Sequence, residues 1–215
     1  MKKQKIIQAS RLDSLVDLFN GFAKPILVPI AGGSCSGKGF VARRIADIAA
    51  QRNMRAAMMP LDNYFRNSRD PLAPYDAFGR RLFDVPEAFH RDEYREHVWQ
   101  LVCGKPVWIP AYDIKTNARV AHCGAQVEPA ELIVADGLFT IDLLAVMHPQ
   151  TLGVYVEASE YVRVSRRIVR DTHIYGVTEE TVRDGMREKV LPCHALYVEP
   201  QKIFADIVVC NDQEL

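Results

Sequence analysis

The sequence carries no net charge: 27 Lys and Arg stand against 27 Asp and Glu in 215 residues. A dedicated polyanion binder shows a basic excess, so neither nucleic acid nor an anionic membrane surface is expected as a partner. A local basic pocket is not excluded by that balance. No stretch approaches the ~20 apolar residues that span a bilayer. The lysine-rich start, Met1 to Lys5, runs into Gln8, Arg11 and Asp13 rather than the apolar core of a signal peptide. Cysteine is sparse and scattered: Cys35, Cys103, Cys123, Cys193 and Cys210, with no CxxC pair. That excludes a disulfide framework and a cysteine-rich zinc site, and points to reduced thiols in a cytoplasmic protein. Internal repeats, low-complexity tracts and long linkers are also missing. What remains is an ordinary globular composition, 48% apolar and 25% charged. A chain of this length buries roughly 70% of its unfolded surface, so it needs no disulfide or metal to fold.

The apolar residues then set out the elements. Ile7, Leu12, Leu15, Val16 and Phe19 have roughly helical spacing and predict an N-terminal helical extension over 1–24. Ile26 to Ala31 is a short apolar run that breaks into glycine, as a strand buried on both faces does. Pro29 inside it removes one ladder donor and marks a local defect. Val41, Ala42, Ile45, Ile48 and Ala49 repeat every 3.6 residues, which predicts a helix from Lys38 to about Arg52. Further strands are expected at 55–59, 131–135, 153–157 and 205–209, with helices at 92–102, 160–171 and 178–190. Residues 105–110 and 119–122 are expected to pair as a small hairpin. Strands alternating with helices give an α/β fold with five parallel strands and right-handed crossovers. Ligands in such sheets sit at the carboxyl ends of the strands.

One segment stands at such an end. Gly32-Gly33-Ser34-Cys35-Ser36-Gly37-Lys38-Gly39 follows the first apolar strand and opens the first long helix, leading into Phe40. Four of the twelve glycines fall in these eight residues, a density that lets successive backbone N–H groups turn inward around a phosphate. Lys38 then reaches the outer phosphates. The pattern is G-x-x-x-x-G-K, but Gly39 stands where the full motif has Ser or Thr, whose hydroxyl is normally a Mg²⁺ ligand.

Several further segments, in order, resemble the phosphoribulokinase/uridine kinase family. They are Leu61-Asp62-Asn63-Tyr64-Phe65-Arg66, Phe83-Asp84-Val85-Pro86-Glu87-Ala88-Phe89, Gly104-Lys105-Pro106-Val107 with Ile109-Pro110, Tyr112-Asp113 and Arg119, then Ser165 to Asp171, and Val198-Glu199-Pro200 with Ala205-Asp206. The resemblance spans about residues 26–210. It implies the P-loop kinase fold, with the kinase domain over 25–215, a substrate-binding insertion at about 84–124 and a lid at about 160–185.

The resemblance also implies roles. Lys38, Arg167 and Arg170 face the phosphates of ATP, held by residues 32 to 40. Arginine suits that task through its fixed charge and planar donor fork. Asp62 is the general base, and its local alternative is a turn-forming Asp before Asn63. Asp84 receives sugar hydroxyls, and its alternative is a helix cap ahead of Pro86. Tyr112 lines a base pocket with Arg119 supporting it, and Asn117 occupies the place of a base-recognising His. Asp136 ends a strand and, with Asp62, is the candidate Mg²⁺ holder; its alternative is a turn with Gly137.

Departures accompany the match. Gly39 lacks the hydroxyl, Ile114 replaces an aromatic, and Tyr175 and Val177 stand where the family's lid carries arginines. The reading is an ATP- and Mg²⁺-dependent phosphotransferase acting on a hydroxyl of a nucleoside-like small molecule. The alternatives are a nucleotide binder with little or no activity, or a kinase of a sugar or sugar phosphate. A homo-oligomer is left open.

Overall fold

A computed structural model describes residues 4–120 and 122–212. Its centre is a parallel sheet of six strands. In chain order these begin with β1 (Lys5–Gln8), β2 (Ile26–Gly32) and β3 (Ala56–Pro60). Two small antiparallel pairs follow, formed by β4 (Val107–Ile109), β5 (Tyr112–Asp113), β6 (Ala118–Arg119) and β7 (Ala125–Val127). The main sheet is completed by β8 (Leu132–Asp136), β9 (Val154–Glu157) and β10 (Ile207–Cys210), in the spatial order β1-β10-β9-β2-β8-β3.

Both faces of this sheet are buried, which is why its inner strands read as unbroken apolar runs. The pleat sorts their residues by parity. Leu27, Ala31, Ala57, Met59, Ile133 and Ala135 join one core with Tyr64, Phe89, Tyr94 and Phe139. Ile26, Val28, Ile30, Leu132 and Val134 join the other with Leu15, Phe19, Val41, Ile45 and Ile48. Pro29 is tolerated because β2 meets β9 only from Ile30 onward, after an isolated bridge at Leu27. The missing donor falls in that gap.

The sixth strand corrects the expected N-terminal helix. Ile6 and Ile7, β-branched neighbours, lie in β1 and pair with Val208 and Val209 on the open edge of β10. Helical turns begin only at Ala9 and continue through α1 (Asp13–Val16) to Gly21. A free sheet edge offers the backbone of residues 5–8 a ladder, and this overrides the helical spacing of the side chains. The small hairpin is corrected too. β4 pairs with β7, while β6 pairs with β5, so Arg119 faces Tyr112 rather than residues 105–110. Ala121, part of the expected arm, lies outside the described residues.

The helices that frame the carboxyl edge are α2 (Lys38–Gln51), α3 (Arg91–Val102), α4 (Thr140–Leu144), α5 (Glu160–Tyr175) and α6 (Glu179–Gly185). Ser159 caps α5 by accepting from the Val162 N–H at 3.5 Å, and the helix runs four residues past its expected end. It stops where Gly176 adopts a left-handed conformation, φ 66°. Beyond α6 the helical path continues to Phe204 with two wide π-type stretches. Pro192 and Pro200 adjoin them, and each removes a helical donor.

Candidate active site

The glycine-rich loop leaves β2 at its carboxyl end and delivers Lys38 to the start of α2. Glycine is required at position 37: φ is 95°, and a Cβ there would lie 2.1 Å from Asn211 Nδ2. Asn211 Nδ2 in turn donates to the Ser36 carbonyl at 2.8 Å, which ties the loop to the end of β10. Arg166 strengthens the same tie, since NH1 donates to Ser36 O at 3.3 Å and NH2 to Asn211 O at 3.0 Å. Lys38 Nζ folds back onto Gly33 O at 2.9 Å.

In front of the loop lies a cavity of about 690 Å³. Ser34, Cys35, Lys38, Asp62, Asp84, Asn117, Arg167 and Arg170 all reach its wall. All eight are among the site residues that the sequence resemblance implies, and distant segments converge to supply them. Asp62 comes from the turn after β3, Asp84 from the loop before α3, and the arginines from α5. Asp171 fixes both arginines. Its Oδ2 lies 2.5 Å from Arg167 Nε and its Oδ1 2.7 Å from Arg170 Nε, and it is 7% exposed. Arg167 NH1 donates to Ser34 Oγ at 2.8 Å, so this clamp joins α5 directly to the phosphate loop.

Burial sets the electrostatics. It lowers the Lys38 pKa, and Asp62 and Asp136 pull it back up. The surrounding protein thins the water around Asp62 and raises its carboxyl although the residue is exposed in the cleft, with Lys38, Arg170 and Arg167 opposing. Asp84 is raised by burial as well, with Arg167 and Lys38 opposing. Asp136 is pushed up to about 6 by burial and by the charge of Asp62. Acids and bases thus share one cleft, where Asp62 is exposed and Lys38, Asp84 and Asp136 are half-buried, and each sign depends on the other. A proton acceptor with a raised pKa is what hydroxyl activation needs near neutral pH.

The donor set fits a hard divalent cation. Mg²⁺ is commonly held by one or two carboxylates, with water and substrate phosphates completing its shell. The carboxylates that could do so are Asp62, on the cavity wall, and Asp136, which is not on that wall but whose charge acts on Lys38 and which lies close enough to Asp62 to be raised by it. Residue 39 supplies no side-chain oxygen, but it leaves room: a Cβ there would meet Arg43 NH1 at 3.5 Å and Asp136 Oδ2 at 3.7 Å.

Other expectations are displaced. Arg119 does not reach the main cavity. Its NH1 and NH2 bond the Glu93 carboxylate at 3.0 and 2.6 Å, and its guanidinium lies over Tyr64. Tyr112 stands behind the wall, against Phe65 at 5.3 Å between rings. Phe40 is 53% exposed on α2 and does not line the cavity. Phe65, Phe83, Ile114, Lys115, Leu138, Ile174, Tyr175 and Val177 line it instead, so the lid end is apolar where arginines were absent from the sequence. Sequence reading missed Asp171 as a site residue. The signal was its position four after Arg167 and one after Arg170.

A family model for the phosphoribulokinase/uridine kinase family matches residues 27–213. The chain belongs to that family. Among curated relatives, the uridine kinase of Deinococcus deserti is 34% identical over 192 residues, covering 88% of this chain and 89% of the relative. The uridine kinase of Halobacterium salinarum is 35% identical over 182 residues, covering 85% and 78%. Among solved structures, a protein from Silicibacter sp. TM1040 superposes with a TM-score of 0.75 at 18% identity, over 92% of this chain and 98% of the other. D-glycerate 3-kinase from Cryptococcus neoformans var. grubii superposes with a TM-score of 0.61 at 12% identity, over 88% and 86%. These two likenesses concern the P-loop kinase fold alone.

Proposed function

We propose that the chain transfers the terminal phosphoryl group of ATP to a hydroxyl of a nucleoside-like small molecule, as the names of its relatives suggest. The observation that carries this reading is the convergence of Lys38, Asp62, Asp84, Arg167 and Arg170 on one cavity in front of the phosphate loop. The acceptor oxygen attacks the terminal phosphorus and the bond to the leaving diphosphate breaks. Asp62, raised by desolvation in the cleft, takes the hydroxyl proton. Asp84 accepts from neighbouring hydroxyls and holds the acceptor in line. Lys38, Arg167 and Arg170 balance the charge on the transferring group and on the leaving oxygens. The cation held by Asp62 and Asp136 would neutralise phosphate charge. The segment 84–124, which carries β4, β5 and β6, is the part of the domain we assign to acceptor binding.

A coupled assay with Mg²⁺ and ATP against uridine, cytidine and sugars tests the reading. Turnover well above that of an Asp62→Asn variant is expected. Turnover no higher than that variant for every acceptor would leave only a nucleotide binder.

A further inference from the structure

We infer that Arg43 is a nucleotide-binding residue: its guanidinium stands beside the bare position 39, where the full phosphate-loop motif has a hydroxyl, and meets the outer phosphates of ATP directly, so that ATP is held without Mg²⁺. This rests on the reading of ATP as donor and specifies how the loop binds it.

Arg43 stands on α2, one helical turn after Gly39. Helical side chains lean toward the N-terminus and cover the turn before their own, so residue 43 overlies residue 39. Glycine leaves that turn bare. Arg43 NH1 lies 3.5 Å from where a Cβ on Gly39 would stand, and Asp136 Oδ2 lies 3.7 Å from the same point. The space beside position 39 is thus flanked by a guanidinium and a carboxylate. The charge is felt there, since Arg43 opposes the rise of the Asp136 carboxyl.

Other cations around the loop are already engaged. Lys38 donates to Gly33 O, Arg166 to Ser36 O and Asn211 O, and Arg167 and Arg170 to Asp171. Among the described residues, no ion pair engages Arg43. It is exposed, so an oxygen can approach it. The outer phosphates concentrate negative charge, and a hydroxyl at position 39 answers it only through the metal it holds. Arginine answers it directly, with a fixed charge and a planar donor fork that matches phosphate oxygens. Asp62 and Asp136 stay available to a metal during transfer, so the exchange concerns nucleotide binding and not the transfer step.

Calorimetry of ATP binding to the full chain tests this, with excess EDTA and again with saturating Mg²⁺. The wild type is expected to bind metal-free ATP within about tenfold of its affinity with Mg²⁺. Arg43→Gln should weaken metal-free binding roughly tenfold or more, the worth of a hydrogen bond to a charged group, and weaken binding with Mg²⁺ by about threefold or less. Arg44→Gln removes the same charge from the next residue of α2, which is also exposed and turned about 100° away. It should change neither affinity by more than about twofold. Melting temperatures are compared to confirm that both exposed substitutions leave the fold intact. A wild type that binds ATP only with Mg²⁺, or equal losses in the two variants, overturns the inference. Binding with Mg²⁺ alone leaves the kinase reading intact, whereas binding in neither condition removes both.

Discussion

Arg167 Nε and Asp171 Oδ2 stand 2.5 Å apart, one helical turn from each other on α5, and the pair holds Arg167 NH1 against Ser34 of the phosphate loop. Asp171 therefore acts on phosphates through its arginines rather than by contact. Asp171→Asn keeps the size but removes the charge that orients both guanidiniums. Misplacement of positioning groups by an ångström costs about a hundredfold in rate. We expect kcat to fall by about that factor, with a smaller change in nucleotide affinity measured by calorimetry. Both arginines are partly exposed, so the stability loss should be about 1–2 kcal/mol, below that of a fully buried pair. An unchanged kcat would show that the arginines orient themselves without Asp171.

Asp62, exposed within the cavity, and Asp84, half-buried, are both raised and assigned different work. Asp62→Asn removes the proton acceptor, and loss of a positioned general base costs about 10²–10⁴ in rate. The loss should appear in kcat, with ATP binding retained. Asp84→Asn should instead raise the acceptor KM, since an amide still meets hydroxyls but loses a charged acceptor. The same kinetic split for both variants would contradict the division of roles.

Gly39 leaves the space in which a hydroxyl normally stands. Its missing Cβ would make only ordinary contacts with Arg43 and Asp136, so a side chain can begin at position 39 without moving backbone, and Gly39→Thr is the variant to make. Adding a ligand oxygen beside Asp136 should lower the Mg²⁺ concentration for half-maximal rate by about tenfold. A Mg²⁺ titration at fixed ATP reads the effect. No gain would mean that Arg43 or the loop geometry keeps the hydroxyl from the metal.

Much of this architecture was legible before the structure. The inner strands declared themselves because burial on both faces leaves no polar residue in Leu27 to Ala31 or in Leu132 to Ala135. The phosphate loop declared itself because glycine density and a following helix occur together. Lys38, Asp62, Asp84, Arg167 and Arg170, far apart in sequence, line one cavity. What stayed hidden depended on partners far away in sequence. Residues 5–8 became a strand only because β10, two hundred residues on, offered an edge. Arg119 was drawn to Glu93 on α3, and no local pattern carries that choice. Asp171 was visible only as a neighbour of two arginines. Its importance came from burial, which spacing does not report.

His194 supplies the pH-dependent prediction. Its ring packs behind the phosphate loop, where a Cβ on Gly33 would lie 3.0 Å from His194 Cε1 and 2.3 Å from Arg163 NH1. Burial lowers its pKa below 6.5, and Arg163 and Lys38 lower it further. Glu199, 2.8 Å from Nε2, opposes them. The unfolded chain therefore binds a proton near 6.5 that the folded one refuses until a lower pH. Stability from this group is complete above 6.5 and is lost as pH falls below it, by at most about 1.4 kcal/mol per pH unit. Asp136, raised to about 6, has the opposite sign and favours the folded state as pH falls from about 6 toward the usual carboxylate range. The two partly cancel in the wild type. His194→Gln keeps a donor toward Glu199 and removes only the titration. Its melting temperature should therefore decline less on acidification from about pH 7 to 5 than that of the wild type. Parallel curves would show that His194 titrates alike in both states.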